Sequence, residues 1–156
     1  MVLLLFSIGD EQYGIEAKCI VEVIPCISVK RIPKTPAYLS GIFNFRGVSV
    51  PVVDISYLCI RKHAQRYISS RIILVHYTAG SGSEHTLGLL AERVTETLKV
   101  DEDQFIPSGV DTEKKSFLGD VLMRGEQIIQ RVNIDNLLPE QIQARLFQQD
   151  CVVECP

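Results

Sequence analysis

The chain has 156 residues, of which 46% are hydrophobic, so it can bury a sizeable core in one domain. Its 19 acidic residues outnumber its 16 basic ones, and such a chain lacks the general positive charge that binding a nucleic-acid backbone requires. The apolar residues 1–6 have no basic start and are too short for a signal peptide, and no other apolar run could cross a bilayer. We therefore expect a cytoplasmic protein that neither binds nucleic acid nor inserts into a membrane.

The five cysteines are an odd number and cannot all pair within the chain, so we expect reduced thiols. Cys151 and Cys155 lie four residues apart near the end, but the usual two-residue spacing of a metal motif is missing and no histidine is near. We predict no metal site there. The expected organisation is a single domain over residues 1–148, followed by a flexible tail at residues 149–156.

Strand patterns dominate the first quarter of the chain. Residues 2–8 are a near-continuous apolar run, and the turn sequence at residues 9–12 precedes a second short strand, which predicts an opening hairpin. Alternation of apolar and polar residues over 21–24 predicts a third strand, which Pro25 ends.

The next segment combines a helix signal with a strand signal. Thr35 followed by Pro36 is typical of a helix start, so we predict one helical turn that Gly41 stops. Val48, Val50 and Val52, at residues 48–52, then fall on one face of a strand with a period of two. Pro51 has no N–H group to donate, which places this strand at an edge, a bulge or a barrel corner.

The second half predicts two more hairpins and a closing helix. The elements are strands at residues 72–75 and 87–91 around a Gly/Ser-rich loop, strands at 117–123 and 127–132, and a helical region at 134–147 interrupted by Pro139. Many short strands in a chain of this size favour a barrel, or a pair of small barrels, over a parallel α/β sheet. The sequence therefore predicts an all-β fold.

Reactive side chains do not converge in any recognisable motif. There is no glycine loop followed by lysine for a phosphate, and His63, His76 and His85 are too scattered to form a metal or acid–base set. We predict no catalytic residue, no metal and no cofactor.

Two charged residues have ambiguous surroundings. Arg46 stands between Phe45 and Gly47, and its simplest interpretation is a solvated charge or a local ion pair with Asp54. Glu22 stands between two valines, a pattern typical of the solvent-facing side of a strand.

Three blocks of sequence carry a resemblance to a known family. They are residues 13–16 (YGIE), 20–23 (IVEV) and 31–54 (RIPKTPAYLSGIFNFRGVSVPVVD). Their order and spacing resemble the core of the CheW-type chemotaxis adaptors, with Phe45 where that family usually has leucine. A looser similarity covers the remainder of the chain except its C-terminal end.

The resemblance implies both a fold and a function. The implied fold is two small five-stranded barrels of the Src-homology type around a shared hydrophobic core, with short helices that include one near the C-terminus. The implied function is that of a non-enzymatic adaptor between the cytoplasmic hairpin tip of a chemoreceptor and the regulatory domain of a CheA-type histidine kinase. Such a protein would be cytoplasmic and recruited to membrane-associated receptor arrays.

Position by position, the resemblance also implies a set of partner-binding residues. They are Ile20, Glu22, Val23, Gly41, Asn44, Phe45, Arg46 and Gly47. Arginines are frequent where interfaces gain most of their affinity, and apolar side chains on a strand can form a groove for an amphipathic helix. Two alternatives stay open: a CheW-like adaptor of an array that controls pili, gliding or second-messenger output, and a small β-barrel that binds nucleic acid. The acidic balance and the absence of tryptophan count against the second.

Overall fold

A computed structural model describes residues 1–79, 82–107 and 117–147. The strands are β1 (Val2–Ile8), β2 (Glu11–Glu16), β3 (Ile20–Pro25), β4 (Leu39–Phe45), β5 (Val48–Asp54), β6 (Arg71–Thr78), β7 (Glu84–Lys99), β8 (Phe105–Ile106), β9 (Leu118–Arg124) and β10 (Gln127–Val132). The α-helices are α1 (Ile55–Ile60) and α2 (Glu140–Leu146). The all-β prediction is confirmed. The predicted tail at residues 149–156 lies outside the described residues.

The strands form two sheets that share β7. In the middle sheet the order is β3-β6-β7-β5-β4, and in the terminal sheet it is β7-β1-β2-β10-β9-β8. Leu5 pairs with Glu96 but Ser7 pairs with Glu92, so β7 contains a bulge where Arg93 has a φ of +49°. The bend lets β7 leave one sheet and join the other, an arrangement consistent with two small barrels.

Both faces of the central strands are buried. In β1, Leu3 and Leu5 pack inside the terminal sheet, while Leu4 and Phe6 pack into a larger cluster shared by both sheets. β6 divides its side chains in the same way between the middle sheet and the shared cluster. A strand buried on both faces reads as a continuous apolar run. This explains why β1 and β6 were visible in the sequence as runs without alternation.

The predicted helical turn after Thr35 is wrong. The Thr35 hydroxyl donates to the Ile32 carbonyl at 2.7 Å, and one bond from the Leu39 N–H to the Pro36 carbonyl makes an isolated turn. Gly41 does not stop a helix but lies within β4. The segment consists of two short turns, at residues 33–34 and 37–38, between the antiparallel bridge that joins Lys30 to Ile42 and the start of β4.

Helix α1 was not predicted and follows directly from β5. Asp54, at 2% exposure, caps it by accepting a hydrogen bond from the Tyr57 N–H at 3.2 Å. The same carboxylate accepts from the Ala64 N–H at 3.0 Å and contacts His63 Nδ1 at 3.2 Å. One buried side chain therefore ends a strand, begins a helix and fixes the segment after it.

The second-half predictions are confirmed, with a change of length. β9 and β10 form the predicted hairpin, β6 and β7 form another, and α2 follows Pro139 as expected. β7 is longer than predicted, because its second half pairs with β1. Residues 80 and 81 of the Gly/Ser-rich loop lie outside the described residues. In the described part of the chain, no helix is long and apolar enough to span a membrane.

Candidate functional site

A tight turn joins β4 to β5 and carries most of the predicted binding residues. Phe45 pairs with Val48, leaving Arg46 and Gly47 as a two-residue loop with φ values of +52° and +85°. Positive φ at both positions is the type I′ geometry that matches the twist of a hairpin. The side-chain oxygen of Asn44 accepts a hydrogen bond from the Gly47 N–H at 2.8 Å, which holds the loop closed. The turn thus presents Arg46 at the tip.

Arg46 links this hairpin to β3. Its Nη2 lies 3.2 and 3.4 Å from the two carboxylate oxygens of Glu22, and its Cζ lies 4.7 Å from the centre of the Phe45 ring. β3 and β4 are the two edge strands of the middle sheet, so the ion pair joins its edges. Because the two side chains are 72% and 39% exposed, the pair stabilises the fold by only about 0.5 kcal/mol. Its main effect is to orient Arg46.

Of the two simple interpretations of Arg46, the solvated charge holds, because its side chain is 72% exposed, while the ion pair with Asp54 is wrong. Arg46 does not pair with Asp54, whose carboxylate caps α1 instead. Glu22 lies on the face of β3 that is turned toward the hairpin, where it contacts Arg46, although its side chain is still 39% exposed; Val21 and Val23 lie on the opposite, outer face. The alternation was read correctly, but the polar side chain points to its partner and the apolar ones point to water.

The apolar members of the predicted site do not share one face. A bulge separates Ile20 from Glu22, and Ile20 packs against the large shared cluster. Val23 lies on the outer face of β3, whereas Ile24 and Phe45 pack together against the core of the middle sheet. A groove made by Ile20 and Val23 side by side is therefore not what the structure shows.

Gly41 lies away from the turn, under the backbone of the preceding segment. Its φ is +152°, and a Cβ atom there would lie 2.4 Å from the Lys30 carbonyl oxygen. Lys30 and Ile42 exchange backbone hydrogen bonds of 2.7 and 2.8 Å directly above it. Its predicted contact with a partner stays a prediction, while its observed place is in the packing that supports β4.

We give the name hairpin site to the turn residues Asn44, Phe45, Arg46, Gly47 and Val48, the Glu22 side chain that contacts them, and Val21 and Val23 on the outer face of β3. The contacts above bring Glu22 together with the turn residues. Val21 and Val48 were missed by the sequence analysis, and Val48 is 53% exposed. Strand period put Val48 on the same face as Val50, but a residue directly after a turn is at the end of the sheet, and Val48 is exposed while Val50 is buried.

A groove of about 740 Å³ lies on the other side of the same hairpin. Its walls come from the loop before β4, from β4 and β5, from the β6–β7 hairpin and from α2, and its lining residues are Ile32, Ile42, Val48, Ser49, Pro51, His76, Glu84, His85, Thr86, Arg145, Leu146 and Phe147. The Phe147 ring stacks on His85 at 4.1 Å, and Arg145 donates to the Lys34 carbonyl at 2.7 Å, so α2 is fixed at the rim. The sequence could not show this groove, because it joins segments from both ends of the chain.

The described part of the chain contains no group of three or more His, Cys, Asp or Glu side chains that could hold a metal ion. Burial raises the pKa of the Cys59 thiol to about 12, and burial also raises the pKa of the Cys19 and Cys26 thiols. Thiols of this kind stay protonated at neutral pH and are poor nucleophiles. These three thiols are therefore not activated for nucleophilic chemistry.

The family model of the CheW-like domain matches residues 2–141. The chain belongs to the CheW-like domain family. It is 30% identical to the chemotaxis protein CheW of Klebsiella aerogenes over 140 residues, covering 86% of this chain and 80% of that protein. It is 27% identical to the protein FrzA of Myxococcus xanthus over 137 residues, covering 85% and 82% of the two chains.

The solved structure of the scaffolding protein TtCheW from Thermoanaerobacter tengcongensis resembles this CheW-like chain over most of its length. The TM-score is 0.77 at 27% identity, over 88% of this chain and 87% of the other. The resemblance inferred from the three sequence blocks is confirmed, and so is the mainly-strand CheW fold. The residues that form the hairpin site all lie within the range that the family model matches.

Proposed function

We propose that this CheW-like protein is a non-enzymatic adaptor that couples chemoreceptor tips to a CheA-type histidine kinase. The observation that carries the proposal is the hairpin site, where the ion pair with Glu22 orients Arg46 at the tip of the turn and Val48, next to the turn, is exposed. The relatives named for chemotaxis and for scaffolding support it. In this role the protein would be cytoplasmic and recruited to receptor arrays at the membrane.

The chemistry of the hairpin site suits a helical partner. Val21, Val23 and Val48 present apolar surface that is already half-exposed, and burying such area stabilises a complex by about 25 cal/mol per Å². Arg46 retains donors beyond those directed at Glu22, because a guanidinium has five N–H groups in a fixed fork. An amphipathic helix with an apolar stripe and a carboxylate or free carbonyl beside it would satisfy both.

An adaptor must bind two partners at once, and the structure offers two adjoining surfaces. The hairpin site lies at the tip of β4 and β5, and the 740 Å³ groove lies beside the same strands under α2. Val48 is the residue common to both. We infer that the kinase and the receptor each bind one of these surfaces. The β4–β5 hairpin would then contact both partners at the same time.

The test is a calorimetric titration against the regulatory domain of the cognate kinase and against a receptor hairpin tip, with Arg46→Glu, Glu22→Arg and the double exchange. We expect Arg46→Glu to weaken at least one partner by about tenfold, the effect of ~1.4 kcal/mol. The melting temperature should hardly change, because the exposed pair contributes so little. The double exchange restores the ion pair without restoring Arg46 itself.

The matched control is Arg124→Glu with Glu96→Arg, a second exposed ion pair at 3.0 Å on the terminal sheet. Its exchange should leave both affinities unchanged. Unchanged affinity of Arg46→Glu for both partners would contradict the role given to Arg46. Full recovery in the double exchange would mean that the pair positions the hairpin and that Arg46 makes no contact of its own.

The output of the array is a separate question. Similarity to FrzA as well as to CheW keeps open an adaptor of an array that does not control flagella. Titration against the regulatory domain of each CheA-type kinase in the same cell distinguishes a flagellar from a non-flagellar array. The cognate kinase should bind with the highest affinity.

A further inference from the structure

The segment between α1 and β6 has a charge opposite to that of the whole molecule. Residues 61–71 contain Arg61, Lys62, Arg66 and Arg71 but no aspartate or glutamate, in a chain with a net charge of −3. Arg61, Lys62 and Arg66 are exposed, and none of them takes part in an ion pair within the described residues. The positive charge of this segment is therefore not neutralised at the surface.

Two buried carboxylates contact the segment, and both already accept hydrogen bonds from its backbone. Asp54 accepts from the Ala64 N–H, and Glu92, at 8% exposure, accepts from the Gln65 N–H at 3.2 Å. Both serve as anchors for its backbone. Such anchors hold the segment against β5 and β7 and leave the cationic side chains facing outward.

The turn at the centre of the segment is also fixed. The Ser70 hydroxyl, at 1% exposure, accepts from the Tyr67 N–H at 3.0 Å and donates to the Gln65 carbonyl at 2.7 Å. The Ser70 N–H donates to the Tyr67 carbonyl at 3.1 Å, and the Val94 N–H donates to the Ser69 carbonyl at 2.9 Å. The Arg71 guanidinium donates to the Ile68 carbonyl and, at 2.7 Å, to the Ser70 carbonyl. Because the backbone of this turn is already held by hydrogen bonds, binding of a partner would cost little further ordering of that backbone.

An isoleucine stands at the apex of this fixed turn. Ile68 is 96% exposed, the highest value among the exposed large apolar residues described. Beside it, Tyr67 is 38% exposed and its ring lies 4.9 Å from the Arg93 guanidinium. An isoleucine held fully in water contributes nothing to the fold, whereas its transfer into an apolar pocket of a partner is favourable. Tyrosine and arginine next to it are the residue types most enriched at binding hot spots.

We propose that residues 61–71 together with Arg93, here called the basic loop, dock an acidic protein segment that carries an apolar side chain among its carboxylates. The guanidinium groups match carboxylates in a planar fork, and Ile68 takes the apolar side chain. DNA and anionic membranes are extended polyanions. Their negative charge would be repelled by the rest of this molecule, whose net charge is negative. A local acidic protein surface meets only the basic loop, since charges beyond about 8 Å are screened at physiological salt.

The basic loop is separate from the hairpin site. Arg71 pairs with Pro25 at the end of β3, three residues beyond Glu22, or about 10 Å along the strand. A partner on the basic loop could therefore bind while the hairpin site is occupied. The inference does not rest on the proposed coupling of receptor and kinase.

The experiment measures fluorescence anisotropy with two labelled glutamate-rich peptides at physiological ionic strength, one with a central pair of leucines and one with serines in their place. The intact chain should prefer the leucine peptide by about tenfold, and Ile68→Ser should abolish the preference. Lys62→Ser with Arg66→Ser should weaken both peptides by about tenfold. The control, Arg31→Ser with Lys99→Ser, makes the same change of charge at other exposed positions and should leave both affinities within about twofold.

Several results would overturn the proposal. It is refuted by failure of the leucine peptide to bind, by equal affinity for both peptides, or by a preference that survives Ile68→Ser. If the control variant lost affinity for the peptides by the same factor, the effect of Lys62→Ser with Arg66→Ser would be due to net charge alone. Single-stranded DNA or phosphatidylserine vesicles that bind as tightly as the leucine peptide would assign the basic loop to a polyanion instead.

Discussion

Gly41→Ala is the substitution whose cost the structure defines most closely. The new Cβ would lie 2.4 Å from the Lys30 carbonyl oxygen, 2.8 Å from its carbon and 3.0 Å from Val29 Cγ2, at a φ of +152° that only glycine adopts readily. Separating the two backbones would break the Lys30–Ile42 pair of hydrogen bonds, at about 1 kcal/mol each, and add about 1–3 kcal/mol of backbone strain. We expect a total loss of about 3–5 kcal/mol.

The assay is urea unfolding followed by circular dichroism, with Gly125→Ala as the matched control. Gly125 also has a positive φ, +62°, but a Cβ there would meet nothing within 4 Å. It should cost about 1 kcal/mol, from the backbone alone. If Gly41→Ala costs no more than Gly125→Ala, then close packing under Lys30 does not explain this glycine. A weakened partner with unchanged stability would instead show that Gly41 acts at the binding surface.

Two further substitutions test buried polar groups. Asp54→Ala should cost about 2–3 kcal/mol in urea unfolding, because the amides of Tyr57 and Ala64 lose their acceptor, whereas exposed Asp120→Ala should cost almost nothing. The Tyr77 hydroxyl is fully buried without a well-aligned hydrogen bond, and burial raises its pKa to about 12. The unfolded chain ionises first, so stability should fall as pH rises from 10 to 12. The fall should be smaller in Tyr77→Phe, and an identical pH profile in both proteins would contradict this assignment.

The sequence predicts those elements whose signals are local. β1 and β6 appear as apolar runs because both of their faces are buried, and the β9–β10 hairpin appears because Gly125 lies in its turn. Helix α1 is only six residues long, too short to show a helical period. Thr35 and Pro36 carry a true local preference for a helix start, but the bridge between Lys30 and Ile42 overrides it.

The candidate site depends on contacts that no local pattern contains. Arg46 and Glu22 are 24 positions apart on the two edge strands of the middle sheet, so their pairing follows from the closure of that sheet. The family resemblance selected both residues, while the physical reading of each alone pointed to water or to Asp54. The exposure of Val48 was not predicted either, since strand period gives the face of a residue but not where the covering layer ends.

Residues with a strained backbone occur in or beside each of the proposed surfaces. Among the described residues, the non-glycine residues with positive φ are Lys34, Arg46, Arg61 and Arg93. A left-handed conformation costs such residues about 1 kcal/mol, which asparagine or glycine would largely avoid. The exposed ion pair of Arg46 offsets at most about half of this conformational cost. Arg46 lies in the hairpin site, Arg61 and Arg93 lie in the basic loop, and the Lys34 carbonyl holds α2 at the groove. Lys34 contributes only its backbone carbonyl, whereas backbone stability does not account for arginine at the other three positions; the two proposals give those three side chains a role in binding.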